Sequence, residues 1–494
     1  MSVGRLIAAI QLVFLLALPG CKVGPNFQPP VTTAPAAWQN GQRAAATQPA
    51  LTTQPAELTG WWRTLDDPVL TSLVERALQS NLDLEQARAR LRQARAQRGV
   101  VVGGIFPVVS DSAAYSRAEP AARTAGPGGA SPTSLFRNNI DATWELDLFG
   151  GIRRSIEAAD ASVLAAQENL RDVQVSIAAE VALDYVQLRG FQQQIAIAQE
   201  NLATQKHTAE IVHQRRSAGF VSALDVANAE AQVATTASTI PPLEISARQM
   251  IYTLSTLLAA LPGDLVDELS APGEVPAVPP EVPAGLPSEL LRRRPDIRAA
   301  EANLHAATAQ IGVATADLYP NFALTGTMGW QSNKLANWFD SRSRSWAVGP
   351  TANWTIFQGG SIISNIRVQE ALRDQAFLAY RQTVLTAFGD VENALVALAQ
   401  EQIHRKALTD AVTYNRQAVD LSMKLYTEGN TDFLNVLNAQ RSLFIVQDAL
   451  VRSDSNLATD LVSLYKALGG GWEDLPALPG KPLVIPTTAP AGAP

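Results

Sequence analysis

Residues 139–151, NIDATWELDLFGG, join the two patterns that decide the fold. Up to Leu148, apolar and polar side chains alternate, which is typical of a β-strand whose two faces meet different surroundings. From Gly151 to about Arg216 the chain has no proline, and its apolar residues follow the 4-3 spacing of a coiled-coil helix. The stretch therefore predicts a strand that leads directly into a very long helix.

The same pattern is present twice in the chain. Trp144 and the pair Gly150-Gly151 return as Trp354 and the pair Gly359-Gly360. Other landmarks return in the same order, 210 or 213 residues later: Ala89, Leu91, Gly99 and Pro107 as Ala302, Leu304, Gly312 and Pro320, and Gly219, Leu224, Val226 and Asn228 as Gly429, Leu434, Val436 and Asn438. This period is far longer than that of solenoid repeats. We predict an internal duplication in which each half runs helix, strand, strand, long helix, glycine turn, long helix.

The long helices are too long for a compact domain. A helix of about 65 residues spans about 100 Å at 1.5 Å per residue. The second half repeats the pattern of the first from Ser361 to Glu428. We predict extended antiparallel helical hairpins that turn at Gly219 and Gly429.

Two strands are predicted in each half, and their number constrains the assembly. Besides the strand before Gly151, alternation marks residues 321–330 and 346–356, and residues 108–116 are predicted as a strand because they are the repeat counterpart of 321–330. Four strands cannot close a barrel, and a bilayer tolerates no open sheet edge, because unpaired backbone groups cost several kcal/mol each. Two chains would supply eight strands around a filled interior, and three would supply twelve with room for a lumen. A soluble sheet with one wet face is the alternative.

Two sets of side chains on these strands are candidates for function. Three tryptophans suit the aromatic girdle of a membrane interface: Trp330, Trp346 and Trp354. Asp141, Glu145 and Asp147 share the polar parity of one strand, so copies arranged in a ring would line a pore with negative charge and favour cations. The alternative is that they are solvated surface carboxylates.

The N-terminus has the pattern of a targeting segment. Leu6 to Leu18 is an almost unbroken apolar run, too short to cross a ~30 Å hydrocarbon core but of the length found in secretory signals. It ends just before Cys21, the only cysteine, which predicts a lipoprotein signal and lipidation of Cys21. By analogy with such signals, Lys22 implies sorting to the outer membrane. An ordinary signal peptide with a chance cysteine is the alternative.

Proline content and the duplication together predict the domain organisation. The predicted segments are 1–20, a lipoprotein signal peptide; 21–60, a lipid-anchored extended strap; 61–270, the first structural repeat; 271–290, a Pro-rich linker in the equatorial region; 291–472, the second structural repeat; and 473–494, a Pro/Ala-rich tail.

Composition argues against several classes of protein. Lys+Arg 39 against Asp+Glu 46 gives a net charge of −7, whereas nucleic-acid binding favours a basic surface. With one cysteine and four histidines, the chain has few of the side chains that usually bind transition metals. His207 and His213 also lack the i, i+4 spacing of a helical zinc site. No G-x-S-x-G or Walker A motif is present. We therefore predict no catalytic residue, no cofactor and surface positions for all four histidines.

Four stretches resemble a known family: residues 21–27 (CKVGPNF), 290–297 (LLRRRPDI), 354–360 (WTIFQGG) and 464–472 (LYKALGGGW). The chain is similar to the TolC-like outer membrane factors, in their lipidated NodT/OprM-like branch. The resemblance implies an α+β membrane protein: a trimeric 12-stranded outer-membrane β-barrel, with four strands per chain, continued by a long periplasmic α-helical coiled-coil barrel. It also implies a homotrimer held in outer-membrane lipid that docks to a periplasmic adaptor and an inner-membrane efflux pump.

The resemblance also implies site residues. Leu434 would form the apolar constriction of a periplasmic gate, and Arg441 falls where relatives keep an arginine. Asn438 falls where relatives place an acidic ring, so this gate would depend more on apolar contact at Leu434 and on hydrogen bonding than on ion pairs. The alternative is that Asn438 only packs on a neighbouring hairpin. The turns at Gly219 and Gly429 would be the adaptor-docking tips.

Together these features predict an outer-membrane channel of a tripartite efflux system, a passive exit duct for small molecules such as drugs and toxic compounds. A type I protein or peptide secretion duct and a non-channel coiled-coil envelope lipoprotein are the alternatives. An enzyme is disfavoured.

Overall fold

The computed structural model describes residues 22–32, 34–39, 50–52, 58–119, 121, 123, 131–279, 281–283 and 287–472. The predicted signal peptide, Cys21 and the predicted tail 473–494 lie outside the described residues. Contacts divide the chain into two compact units. Unit 1 comprises Met1–Thr33, Gln86–Leu170 and Pro295–Thr386, and unit 2 comprises Ala34–Glu85, Arg171–Arg294 and Ala387–Pro494.

Helices form most of the described chain. The α-helices are α1 (Pro68–Ser80), α2 (Leu82–Gly103), α3 (Gly151–Ser217), α4 (Ala223–Leu257), α5 (Val266–Leu269), α6 (Pro287–Arg293), α7 (Pro295–Ala316), α8 (Ser361–Thr427) and α9 (Phe433–Ala467). Short 3-10 helices cover Trp61–Leu65, Leu335–Asn337 and Ser341–Ser343. Within the described residues, no helix is both long and apolar enough to cross a membrane.

The strands form two sheets. β1 (Ala50–Thr52) and β4 (Glu281–Pro283) make a short parallel pair. The larger sheet is antiparallel throughout, with the order β2 (Val108–Ala118), β3 (Thr133–Leu146), β5 (Asn321–Ser332) and β6 (Arg344–Asn353). The predicted strand 346–356 is therefore shorter at its C-terminal end, because pairing with β5 stops at Asn353.

The internal duplication is confirmed element by element. Corresponding helices have identical lengths: α2 and α7 have 22 residues each, α3 and α8 have 67, and α4 and α9 have 35. The strands β2 and β3 correspond to β5 and β6 in the same order. At 1.5 Å per residue, α3 and α8 are each about 100 Å long.

Both helical hairpins turn on a glycine in the left-handed conformation, Gly219 with φ 83° and Gly429 with φ 82°. At the first turn, the N–H of Phe220 donates to the carbonyl of Arg215 at 2.9 Å, which satisfies an acceptor that the helix end would leave open. α4 then begins with a capping box, in which the Ser222 hydroxyl and the Asp225 carboxylate satisfy each other's backbone N–H groups.

A small core in unit 2 fixes the start of α1. The Asp67 carboxylate accepts hydrogen bonds from the N–H groups of Val69 and Leu70, at 2.8 and 3.0 Å. The Tyr185 hydroxyl donates to the other Asp67 oxygen at 2.7 Å. The buried face of α1 carries Leu70, Leu73, Val74, Ala77 and Leu78. A capped, amphipathic helix of this kind is stable only when it is packed on a partner.

We expect Gly429→Ala to lower the stability of the protein by about 1–2 kcal/mol, because a β-carbon is unfavourable in the left-handed region. Thermal denaturation would measure the change. Gly389→Ala is the matched control: Gly389 lies inside α8, an added β-carbon there meets no atom within 4 Å, and alanine favours a helix by roughly 0.5–1 kcal/mol. Equal effects of the two substitutions would contradict this explanation.

Candidate functional site

The register of the four-stranded sheet separates an apolar from a polar face. One cross-strand row joins Val109, Ala142, Gly326 and Val348, and the parallel row beside it on the same face includes Ile140, Met328 and Trp346. The row between these two lies on the opposite face and holds Ser110, Asp141, Thr327 and Ala347. Large apolar side chains of the first face are exposed in the single chain: Val109, Ile140, Met328, Trp346 and Val348.

Aromatic rings mark both ends of this sheet. At the end distant from the helices, contacts between ring centroids of 4.8 to 5.9 Å link Tyr115, Phe136, Trp338, Phe339 and Trp330. At the helical end, the indoles of Trp144 and Trp354 donate to the carbonyls of Ile105 and Leu318, at 2.7 and 3.1 Å. Two aromatic bands on either side of an apolar band are typical of outer-membrane strands.

The three carboxylates predicted to share one strand face do not all do so. Asp141 and Glu145 lie in β3 on the polar face. Asp147 lies beyond the end of β3 and accepts hydrogen bonds from the N–H groups of Ile152 and Arg153, at 3.2 and 2.9 Å. The Arg153 guanidinium also donates to it, at 3.0 Å. Asp147 therefore fixes the start of α3, because a carboxylate is favourable at a helix N-terminus.

An apolar cluster in unit 2 joins the ends of the two hairpins. Its buried members are Ala209, Val212, Ala229, Tyr426, Phe433, Val436 and Leu437. Arg215 of α3 reaches the second hairpin: its guanidinium lies 4.7 Å from the ring centroid of Tyr426 and donates to the carbonyl of Thr427 at 3.1 Å. Burial raises the pKa of Tyr426, so the ring is neutral against the guanidinium. Beside this cluster, Phe220, Leu224 and Leu434 remain exposed.

The predicted gate residues share one exposed face of α9. Leu434, Asn438, Arg441 and Ile445 follow a 4-3-4 spacing, which places side chains on one side of a helix. All four are exposed in the single chain. The Arg441 guanidinium donates to the side-chain oxygen of Gln232 on α4, at 2.6 Å. The arginine of the second hairpin is therefore held against the first hairpin by an uncharged partner.

The segment after Cys21 is held by a buried arginine that sequence reasoning missed. Arg154 of α3 is fully buried, and its guanidinium donates to the carbonyls of Val23 and Gly24, at 2.9 and 3.0 Å, and to the side-chain oxygen of Asn26 at 2.9 Å. Gly24, with φ 81°, lies so close to the backbone of Gly312 that a β-carbon would clash with it. Residues 22–26 are thus an integral part of unit 1.

Glu157 connects this segment to α7. Its carboxylate contacts Lys22, Arg154 at 3.0 Å and His305 at 3.1 Å. Burial alone would raise the pKa of Glu157, but hydrogen bonds from Lys22, His305 and Arg154 outweigh it and lower the pKa to about 2. The His305 ring also stacks on Phe27, with ring centroids 4.3 Å apart. His305 therefore keeps a partly exposed position, with 31% of its side chain accessible, but it has two partners that the sequence did not indicate.

The pKa values of two other carboxyl groups are raised. Burial, reinforced by the charge of Glu180, raises the pKa of Asp184 to about 6. Burial, reinforced by Glu401, raises the pKa of Asp460 to about 6. Asp184 occupies a slot of the apolar 4-3 seam of α3, which explains its loss of water. Over the part of the chain that the structure covers, no cluster of His, Cys, Asp and Glu could hold a metal ion.

Comparison with known proteins finds one family and relatives over nearly the whole chain. The outer membrane efflux protein family model matches residues 73–260 and 286–470, once in each half. Nodulation protein T of Rhizobium leguminosarum bv. trifolii is 31% identical over 459 residues, which cover 93% of this chain and 96% of that protein. The toluene efflux pump outer membrane protein TtgF of Pseudomonas putida is 32% identical over 477 residues, covering 95% of this chain and 98% of that protein.

The fold has a close counterpart among solved structures. The outer-membrane channel OprN aligns with a TM-score of 0.86 and 39% sequence identity, over 92% of this chain and 100% of that one. The structure therefore supports the same arrangement of helices and strands that the sequence predicts.

We expect Glu157→Gln to destabilise the protein by on the order of 1–3 kcal/mol at pH 7, because the neutral amide loses the contacts with Lys22, His305 and Arg154 that lower the pKa of the carboxyl group from 4.5 to about 2. A lowered pKa contributes stability that is present above pH 4.5 and is lost as the pH falls toward 2. The difference from wild type in thermal denaturation should therefore shrink below pH 4.5. Glu75→Gln is the control, because the pair of Glu75 with Arg63 is exposed and such pairs contribute about 0–1 kcal/mol. A difference that does not depend on pH would contradict this account.

Proposed function

Since the chain belongs to the outer membrane efflux protein family and is an outer-membrane channel of tripartite efflux systems, we propose that three copies pool their sheets into one twelve-stranded barrel and form a passive exit duct for small molecules. A relative named for toluene efflux supports small molecules as the cargo. The energy for transport comes from a separate pump, since the duct carries out no covalent chemistry.

The strongest support for a barrel shared by three copies is the incomplete four-stranded sheet. The outer edges of β2 and β6 pair with no strand among the described residues, and the apolar face between them is exposed. In hydrocarbon, unpaired backbone groups cost several kcal/mol each, so a sheet of four strands cannot enter a membrane alone. Twelve strands close and leave an aqueous lumen lined by the polar face.

Cys21 serves as the lipid anchor in this proposal. Cys21 lies outside the described residues, but its neighbour Lys22 pairs with Glu157 in the first turns of α3. The N–H of Val23 donates to the carbonyl of Phe149 at 3.1 Å, just after β3. Acyl chains on Cys21 would therefore enter outer-membrane lipid beside the barrel, and each buried CH₂ adds about 0.8 kcal/mol.

The hairpin tips dock a periplasmic adaptor, which connects the duct to an inner-membrane pump. The turns at Gly219 and Gly429 carry exposed apolar side chains, Phe220 and Leu224 on the first hairpin and Leu434 on the second. Exposed apolar side chains that share one surface, unlike single ones, are typical of a protein–protein interaction site. The same tips form the gate, in which Leu434 makes the apolar constriction.

The purified protein tests this function directly. We expect detergent-extracted protein to migrate as a heat-resistant trimer and to conduct ions in planar bilayers. A monomeric, non-conducting protein that remains in solution without detergent would reject the channel and favour the coiled-coil envelope lipoprotein.

We expect Asp141→Asn combined with Glu145→Gln to reduce the cation selectivity of the open channel, because rings of carboxylates in a lumen favour cations. Reversal potentials in a salt gradient measure this. Asp111→Asn is the matched control, since Asp111 pairs with Ile140 and so lies on the apolar face. If the control changes selectivity as much as the double variant, the assignment of the lumen face is wrong.

We expect Asn438→Asp to strengthen the closed gate and make its conductance depend on salt. The new carboxylate would lie three residues from Arg441 on the same helix face, a spacing that allows an ion pair. Single-channel recordings at low and high salt measure the effect. Asn435→Asp is the control, because Asn435 is also exposed and lies one turn closer to the tip. Unchanged conductance and salt response would remove Asn438 from the gate.

A further inference from the structure

The apolar face of the large sheet ends in aromatic side chains at the end distant from the helices. Each strand contributes one of them to a set that we call the outer belt: Tyr115 of β2, Phe136 of β3, Trp330 of β5 and Trp346 of β6. The pairing register places all four on the face that carries Ile140 and Met328. Aromatic side chains are enriched where a membrane meets water, so the outer belt marks one interface of the barrel.

A polar side chain follows each residue of the outer belt on the same face. Two residues farther from the helices, each strand carries a hydrogen-bond donor, and these four residues form the polar band: Arg117, Ser134, Ser332 and Arg344. Two residues span about 7 Å along a strand, so the polar band lies just outside the belt. Toward the helices, the same step leads from Trp144 and Trp354 to the apolar residues Leu146 and Ile356. The two ends of the apolar face therefore differ.

The outer belt and the polar band both run obliquely across the sheet. The cross-strand row of Arg344 reaches β2 at Ala113, four residues short of Arg117, and the row of Trp346 likewise stops four residues short of Tyr115. Four residues correspond to about 14 Å along a strand, and the three strand spacings from β2 to β6 also measure about 14 Å. A line of constant depth has this slope when strands tilt by about 45°, and membrane strands tilt by about 35–45°. The polar band therefore lies at one depth in a membrane.

The two arginines of the polar band have no charged partner. Among the described residues, neither guanidinium forms an ion pair or a hydrogen bond. The four strands carry one more charged residue on this face, Asp111, whose carboxylate accepts a hydrogen bond from the Asn138 amide at 2.8 Å. Residues 117–137 and 331–344 together contain six basic and two acidic residues, in a chain of net charge −7. This end of the sheet therefore favours anions.

We propose that the polar band binds phosphate groups of the lipid in the outer leaflet, an inference that rests on the membrane barrel proposed above. In a barrel whose helices extend into the periplasm, the end of the sheet distant from them lies in that leaflet. The guanidiniums of Arg117 and Arg344 donate charge-assisted hydrogen bonds to phosphate oxygens, which their planar fork can contact in pairs. The hydroxyls of Ser134 and Ser332 donate to oxygens of the same headgroups, and the outer belt contacts the acyl chains below them.

The position of the polar band favours a lipid over a dissolved anion. A lipid contacts the arginines through its headgroup and the aromatic side chains through its acyl chains, whereas a free phosphate ion contacts the arginines alone. Basic residues beside a membrane surface also attract anionic lipid without any specific pocket. Arg137 provides a contrast, because it lies at the same end of the sheet but pairs with Ala114 on the polar face.

Lipid titration of the purified trimer tests the proposal. The probe is lipid A that carries both of its phosphate groups, added to delipidated trimers in a nonionic detergent. Native mass spectrometry measures the fraction of trimers with bound lipid. We expect Arg117→Gln combined with Arg344→Gln to raise the lipid concentration at half-occupancy at least about tenfold, because two charge-assisted contacts per copy are lost. Lipid A without its phosphates should bind the wild type as weakly as intact lipid A binds the double variant.

The matched control is Arg137→Gln, which removes the same charge from the opposite face of the sheet and should leave half-occupancy unchanged. Tight binding of lipid A by the double variant, or equal weakening in the control, would overturn the proposal. Tight binding of the dephosphorylated lipid would do the same. Displacement of lipid A by millimolar inorganic phosphate would assign the arginines to a soluble anion and overturn the lipid as the ligand.

The same preparations separate this proposal from the channel function. Binding is measured on trimers that conduct ions in planar bilayers, so a failure of lipid binding there would leave the channel standing, whereas a wild type without trimers would reject both. If the double variant yields no trimer, the single variants Arg117→Gln and Arg344→Gln decide the question. Each should weaken binding at least about threefold, and unchanged binding in both would overturn the proposal.

Discussion

The structure depends on the need of every backbone N–H and C=O group for a partner where water is absent. One chain brings four strands and leaves the outer edges of β2 and β6 unpaired among the described residues, with an apolar face between them. Beside the sheet, Val368 and Leu378 of α8 are exposed, whereas Ala158 and Glu168 at the equivalent positions of α3 are buried. The sheet is therefore incomplete at both edges, which explains why the functional object is an assembly and not a chain.

Most of the fold could be predicted from sequence because its patterns are long and repeated. The absence of proline and the 4-3 spacing indicated α3 within a residue or two, and the glycines at 219 and 429 mark both turns. The strand ends were less predictable. Alternation continues to Ile356, but pairing in the single chain stops at Asn353, because a strand end depends on its neighbour as well as on its own side chains.

The candidate sites were less predictable, because they depend on contacts between residues far apart in the chain. Nothing local indicates that His305 meets Glu157, or that Arg154 binds the carbonyls of residues 23 and 24. The sequence offered one indication of this contact. Arg154 and Glu157 are spaced i, i+3 on a helix and so can form an ion pair, and the motif at residues 21–27 had no contact assigned to it. For Asp147 a local pattern was present but misleading. Its place in the apolar–polar alternation suggested a strand residue, whereas its carboxylate oxygens accept hydrogen bonds from N–H groups at the start of α3.

The burial of Arg154 has a consequence for how this protein can be engineered. Three of its hydrogen bonds go to residues 23–26, so a truncation that removes them would leave guanidinium donors without acceptors inside unit 1. Each buried donor left in this way costs about 1–3 kcal/mol, as much as a cavity in a hydrophobic core. Residues 23–26 therefore cannot be replaced freely, and a fusion or affinity tag that displaces them would destabilise the protein as a core mutation does.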